Sequence, residues 1–577
     1  MATPLDRLAS QYQGFRERYL SHDAVTAQLH AWASAFPDVA HLRSIGRSAE
    51  GRDLWLLTLG PEPERARPSA WVDGNMHASE LCGSSVALAI AEDLLRLHLD
   101  PSFALHGLAP HVCELLRGVR VFVLPRMSPD GAEAVLQTGR YVRSNPRDHR
   151  PDRTRSRWLS SDVNGDGLAL LMRRRDPTGE FVESSEVPGL MLPRRLEDAG
   201  PFYKVYPEGT LEPFDGHTIP DPDFLSDNDT DLNRNFPWSW MPEPEQEGAG
   251  RFAGSEPESR AVVEFVTAHP EIFAWLNLHT FGGVYIRPLG HAPDKKLDPA
   301  DLALFRQIGE WGESLSGYPM VSGFEEFLYE PDKPLHGDLA DFAFHQRGAV
   351  AFVCELWDLF RQLGIERKKP FADHYTHLTR DEMVRLGKWD REHNEGRVVR
   401  PWVPFAHPQL GQVEVGGVDT RVGLTNPPYE VLGRICAEQT AFFLRLAALA
   451  PDVRVHDVTV EAIETGVHRV RVRVSNGGYL PTYVVASAKT LPWNETVHVR
   501  ARGEGCSVIA ADGELRDLGH LEGWGRGLCA GAFALYFQRS RGSVSERSIE
   551  WLVRGSGSLV LSVGSCRLGW TDVRVNV

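Results

Sequence analysis

The sequence predicts an α/β protein with a small all-β unit at its C-terminal end. Three observations predict it. Apolar strand-like runs alternate with amphipathic helical patterns over the first 360 residues, short polar loops close those runs, and after about residue 452 helical periodicity gives way to strand-like runs parted by glycine-rich turns.

Taken in order, residues 54–59, 69–76, 119–127, 273–279 and 349–356 read as strands, and residues 84–99 and 255–268 as helices. The strands are nearly continuous in apolar residues, so the sheet is expected to be covered on both faces. Residues 140–226 are polar, rich in Arg, Asp and Pro, and weakly periodic, which reads as a surface insertion, and 362–425 reads as a second irregular stretch. Residues 429–449 follow the start signal Asn426-Pro427-Pro428 and read as a long amphipathic helix stopped at Ala450-Pro451. Beyond it, runs at 470–474, 496–501 and 558–563 predict a small β sandwich; the first alternates cleanly as Val-Arg-Val-Arg-Val. The division expected is 1–451 for a catalytic unit and 452–577 for the β unit.

Composition removes several functions. The chain has 577 residues and a net charge of −16, which argues against a general nucleic-acid binder. Its longest apolar runs fall far short of a membrane span. The N-terminus lacks a basic start followed by an apolar stretch, so a cytoplasmic location is expected. Seven scattered cysteines without a CxxC indicate neither a disulfide framework nor a thiolate zinc site.

Chemistry is concentrated at three strand ends. Asp73-Gly-Asn-Met-His77-Ala-Ser-Glu80 places an imidazole and a carboxylate three residues apart just past a strand. Such a pair can face one metal, and nitrogen with oxygen donors suits zinc. Alone it is weak, because 22 histidines give about one chance HxxE. A second one, His111-Val-Cys-Glu114, lies in a helical pattern and reads as structural. A further buried strand ends on His279, and another on Glu355 after six apolar or small residues. In open α/β sheets ligands gather outside the carboxyl ends of strands, so three strands deliver two His and two Glu to one place. Two His and one Glu leave a zinc position open, the catalytic pattern.

These residues resemble the zinc carboxypeptidases of the carboxypeptidase A type. The resemblance rests on the order HxxE, Asn-Arg, His, Glu, and covers roughly residues 20–450. Asp231-Leu-Asn-Arg-Asn235-Phe and Cys354-Glu-Leu-Trp-Asp358 are similar to family segments, as are Gly46–Arg52 and Ser255–Glu258. The implied fold is a mixed, mostly parallel eight-stranded sheet with helices on both sides. The resemblance implies His77, Glu80 and His279 as zinc ligands, Glu355 as the general base for the water at the zinc, and Asn233 with Arg234 as the clamp for the substrate carboxylate. It also implies Asp231 as the carboxylate behind the first zinc histidine, and Arg143 as the oxyanion arginine, with Arg140 and Arg147 as alternatives.

Departures from the family pattern are visible. Ser79 stands where pancreatic members have Arg. Tyr329 is the nearest candidate for the family's mobile tyrosine but comes about four residues early relative to Asp341. The pocket-floor position reads as Ala340 or Leu339, neither acidic, so a neutral or apolar C-terminal residue is the expected preference. Seven arginines between Arg140 and Arg157 form either a solvated loop or a basic rim for acidic substrates. Asp162-Val-Asn-Gly-Asp166-Gly167 begins like a calcium loop, but Arg173 occupies the twelfth position, and a structural turn is expected.

The function expected is a zinc metallocarboxypeptidase acting on peptide or protein C-termini, with no nucleic-acid or membrane partner. The alternatives are a zinc amidase for a γ-glutamyl or cell-wall peptide bond, and a non-catalytic peptide-binding module. GxSxG, GxxxxGK and a strand-borne GxGxxG are missing, which sets serine hydrolases and nucleotide binders aside.

Overall fold

The structure is a computed structural model that describes residues 3–577 except 101, 103–104, 148–153, 222–229, 331–332, 510–513 and 526–539. Its centre is an eight-stranded sheet of β1 (Ala40–Arg47), β2 (Asp53–Leu59), β3 (Ser69–Gly74), β4 (Arg120–Leu124), β5 (Ile272–Thr280), β6 (Val284–Arg287), β7 (Met320–Ser322) and β8 (Val350–Leu356). The spatial order is β1-β2-β4-β3-β5-β8-β6-β7. The pairs β3–β4, β3–β5, β5–β8 and β6–β7 are parallel; β1–β2, β2–β4 and β6–β8 are antiparallel. The mixed, mostly parallel sheet expected from the sequence is therefore present.

Alternation along the central strands sends neighbours to opposite faces. Ala70 and Val72 on β3, Leu276 and Leu278 on β5, and Phe352 and Cys354 on β8 enter one core. Trp71, Trp275 and Ala351 enter the other. The helices that cover these faces include α1 (Cys82–Leu99), α2 (Pro257–Thr267), α3 (Leu339–His345) and α4 (Tyr429–Ala447). Helix α1 is buried almost all round because it lies between β3 and α4. Val262 and Val266 of α2, with Leu339 and Phe342 of α3, close the opposite core.

The two stretches expected to be irregular form a sheet together. Val399–His407 pairs with Gly411–Val418, which pairs with Leu171–Arg175, and the sheet continues through Phe202–Pro207 and Phe181–Glu183 to Met191–Pro193. Its core joins Met172 and Tyr206 to Val413 and Val415, more than 200 residues apart in sequence. Each segment alone carries only a few apolar residues on strands of three to nine residues, so local periodicity was too weak to mark them.

The C-terminal region is all-β, as expected. Its described strands form a six-stranded sheet in which Glu546–Ser565, 20 residues long, pairs along its length with Val467–Asn476, His498–Val508 and Gly569–Asn576. The alternating Val470, Val472 and Val474 enter its core beside Trp551 and Leu561. The buried Arg567 ties this region to the preceding α/β region, donating to the carbonyls of Ile272 and Arg347 at 3.3 and 2.9 Å. The six described cysteines are free; Cys529 lies outside the described residues. No described helix is long and apolar enough to cross a membrane.

Candidate active site

Strand register assembles the site. Asn277 on β5 is paired with Asp73 on β3, and His279 with Glu355 on β8. In-register residues of parallel strands share a face, so Asp73, Asn277, His279 and Glu355 all project on the side of Trp71 and Trp275. Between β3 and α1 the chain turns sharply. Gly74 and Gly83 touch so closely that a Cβ on Gly74 would lie 2.5 Å from the Gly83 carbonyl carbon. Asn75 adopts a positive φ of 57° and its amide donates to the carbonyls of His77 and Ala78 at 2.9 and 3.0 Å, folding the loop that carries His77 and Glu80.

His77, Glu80 and His279 converge, with donor atoms within 4.8 Å of one another, all buried. His77 Nδ1 lies 2.8 Å from Glu80 Oε1, and His279 Nδ1 lies 3.0 Å from both Glu80 Oε2 and His77 Nδ1. The outer nitrogens are engaged: His77 Nε2 meets Asp231 Oδ1 at 3.0 Å and His279 Nε2 meets Asn277 Oδ1 at 2.6 Å. Rings that donate through Nε2–H present Nδ1 as a lone pair. Two lone pairs and a carboxylate facing one another repel unless a cation lies among them, so this donor set fits zinc. The held outer nitrogens are what a metal-ligating histidine needs to keep its tautomer.

Glu355 stands next to this cluster. Burial and the charge of Glu80 push its carboxyl well above the ordinary value, with Arg143 opposing them. It makes no side-chain hydrogen bond among the described residues. Arg143 is carried there by a short backbone pairing, Ala78 N to Arg143 O and Ser79 N to Val142 O at 2.7 and 3.1 Å. Ser79 Oγ reinforces the pairing with a 2.9 Å bond to the Val142 carbonyl, which accounts for serine inside HxxE. The Arg143 guanidinium lies 3.0 Å from Asp231 Oδ2 and 3.6 Å from Glu80 Oε1. Asp231 also caps the tight turn Leu232–Arg234 through Asn233 N at 2.7 Å. Burial raises its carboxyl, but Arg143 and His77 outweigh that and hold it well below the ordinary range.

These groups open into a cavity of about 1420 Å³ whose wall includes His77, Glu80, Arg143, Arg234, Tyr329 and Glu355. That is wide for a small-molecule pocket and suits a chain. Arg234 donates to the Asn233 carbonyl at 2.7 Å and has no carboxylate partner among the described residues. Asn233 is not in the wall; its Oδ1 accepts from Leu339 N at 2.9 Å, which leaves only its amide nitrogen for a ligand. Of the alternatives to Arg143, Arg140 lines the cavity and donates to the Ser160 carbonyl at 3.5 Å, and Arg147 is paired with Glu256 at 2.6 Å. Ala340 and Leu339 are buried in apolar clusters and lie outside the described cavity wall. Arg150 and Arg153 of the arginine-rich run lie outside the described residues. Asp162 and Asp166 accept from Gly165, Gly167 and Leu168 amides, the expected turn. Glu114 pairs with Arg117 along its own helix, away from the site.

Three participants escaped sequence reasoning. Asn277 holds His279, and its signal was a lone amide two residues before that histidine on an apolar strand. Asp73 stands behind Asn277 and accepts from the indoles of Trp71 and Trp275 at 2.7 Å each. Burial pushes its carboxyl up to about 6. Tyr375 enters the wall from the stretch read as irregular and packs edge-on against Tyr329 and Phe281.

Comparison with known proteins agrees with this geometry. The profile of zinc carboxypeptidases matches residues 25–362, more than half of the chain. The chain belongs to the zinc carboxypeptidase family. Zinc is accordingly its metal, and the His77, Glu80 and His279 donors fit it. Residues 452–576 match a domain of unknown function. Carboxypeptidase M of Mus musculus is 31% identical over 135 residues, 23% of this chain and 28% of that protein. Carboxypeptidase Z of Homo sapiens is 27% identical over 172 residues, 29% of this chain and 23% of that one. The matched stretches thus span under a third of these relatives' length. Among solved structures, carboxypeptidase A from Helicoverpa armigera aligns at a TM-score of 0.39 and 19% identity over 61% of this chain and 68% of that one.

Proposed function

We propose that the protein is a zinc-dependent carboxypeptidase that removes the C-terminal residue of peptides or proteins. The observation that carries this reading is Arg234, a guanidinium without a carboxylate partner among the described residues, in the same cavity wall as His77, Glu80 and Glu355. A planar guanidinium grips a carboxylate in two places, and only a chain end offers a main-chain carboxylate.

When bound by His77, Glu80 and His279, zinc supplies a Lewis acid that polarises the scissile carbonyl and makes water acidic enough to attack. Glu355 takes the proton from the attacking water and passes it to the leaving amine, work that suits a carboxylate with a raised pKa. Arg143 meets the negative charge that develops on the carbonyl oxygen. Asp231 and Asn277 keep the rings of His77 and His279 in orientation. Arg234, with the Asn233 amide, registers the substrate terminus, and Tyr329 and Tyr375 shelter the reacting bond. A neutral or apolar terminal residue is the preference, supported by Phe281 and Tyr375 in the wall near Glu355. Cytoplasmic residence remains part of this proposal.

The test is metal content together with turnover of a panel of C-terminally free peptides, for the wild type and Glu355→Gln. One zinc lost with His77→Gln, and single residues released only by the wild type, is the expected result. Zinc bound with no release by either protein would turn the reading towards an atypical amide.

A further inference from the structure

A second group of metal-binding side chains lies outside the site described above. Asp341 and His345 are four residues apart on α3, so they share a helix face. His291, in the loop after β6, faces them. One donor atom from each of the three lies within 4.8 Å of the others. Asp341 accepts from Gly290 N at 3.1 Å and from His291 Nδ1 at 2.6 Å. The rings of His291 and His345 meet edge-on at 5.3 Å, and Trp238 stacks on His345 at 4.3 Å.

A plain His291–Asp341 ion pair leaves two groups unexplained. His345 Nε2 is buried and has no hydrogen-bond partner among the described residues. Asp338, the N-cap of α3, uses Oδ1 to accept from Asp341 N at 2.8 Å, while its Oδ2 is buried without a partner among the described residues. Each orphan is unfavourable by itself. Together they add an imidazole and a second carboxylate to a pair that already holds one of each.

We propose that His291, Asp341 and His345, with Asp338 beside them, form a second divalent-cation site of the zinc class, separate from His77–Glu80–His279. Two imidazoles with carboxylate oxygen are donors of that class. The unpartnered Nε2 of His345 is the ring atom left to meet a cation. The site braces the substrate clamp. The same helix start gives Leu339 N to Asn233 Oδ1 at 2.9 Å, and Gly337 O accepts from Phe236 N at 2.9 Å, holding the turn that carries Arg234.

The test uses full-length protein stripped of metal and reloaded with zinc, with zinc per chain measured after gel filtration. The proposal expects two zinc ions for the wild type, one for His345→Gln, one for His77→Gln and none for the double variant. Trp238 supplies an independent readout. Its fluorescence, taken as the difference between wild type and Trp238→Phe, should change on zinc loading in His77→Gln and not in His345→Gln. If His345→Gln fails to fold, His291→Gln in the facing loop reads the same count. One zinc in the wild type, lost with His77→Gln, overturns the proposal. So do two ions retained in both His345→Gln and His291→Gln. A count lowered by His345→Gln but unchanged by His77→Gln would leave this site standing and remove the His77 reading, so the two fail separately.

Discussion

The two His–carboxylate clusters of the catalytic half differ in what stands behind them. At His77–Glu80–His279 every outer ring nitrogen has an acceptor, Asp231 for one and Asn277 for the other, and Asp73 with two indoles stands behind Asn277. At His291–Asp341–His345 one imidazole is held by a carboxylate, and the other is placed by ring contacts, stacked on Trp238 and edge-on to His291, with its Nε2 without a hydrogen-bond partner among the described residues. The first arrangement fixes tautomer and direction, which a reaction centre needs; the second gathers donors, which is enough for a brace. A buried carboxylate with a raised pKa, Glu355, and a guanidinium without a carboxylate partner among the described residues, Arg234, share the cavity wall with the first cluster.

The contrast can be broken at several points. The largest effect belongs to Glu355→Gln, which should lower kcat about 10³-fold with zinc still bound at His77. A loss under tenfold would place the reacting carboxylate elsewhere. Arg234→Ala should lower kcat/KM about 10²-fold, mostly through KM, with Arg234→Lys recovering part of it. A change confined to kcat would remove Arg234 from binding. Asp231→Asn and Asn277→Ala should each weaken zinc at the first cluster about 10- to 100-fold in chelator competition. Unchanged affinity in both would show that the held rings do not matter and that the two clusters are alike.

A further effect, on stability rather than on rate or metal affinity, is a pH dependence at Asp73. Its carboxyl has an ordinary value of 3.8 and is pushed up to about 6 in the fold. Between those values the folded chain holds a proton that the unfolded chain has lost, so stability falls as pH rises from about 4 to 6 and stays level above. Two units correspond to about 3 kcal/mol. Denaturant melts of the wild type and Asp73→Asn across pH 4–7 should diverge by an amount of that order, the wild type losing ground as pH rises. Parallel curves would mean that Asp73 is already ionised at low pH.

Much of the first cluster was legible because its residues sit at ends of apolar strands, where a single His or Glu stands out. His77, Glu80, His279 and Glu355 fall together in space, and the strands that carry them start and stop within a few residues of the expected bounds. Asn277 and Asp73 were less legible because a polar residue inside an apolar strand reads as an exception until its partner on the next strand is known. Tyr375 and the cavity wall around Trp158, Met191 and Trp402 were not legible at all. Met191 and Trp402 belong to a sheet whose two halves come from residues 171–207 and 399–418, Trp158 to a separate two-stranded pairing and Tyr375 to a four-residue helix, and no local pattern joins segments that distant. His291 and His345 were missed for the same reason, since one is on a loop and the other on a short helix.

The most direct test of the central claim is a pair of peptides identical except for a free carboxylate or an amide at the C-terminus, incubated with the wild type and followed by mass spectrometry. The account predicts stepwise loss of single residues from the free acid, no cleavage of the amide, and little discrimination between them by Arg234→Ala. Equal cleavage of both peptides by the wild type, or cuts inside the chain, would contradict it.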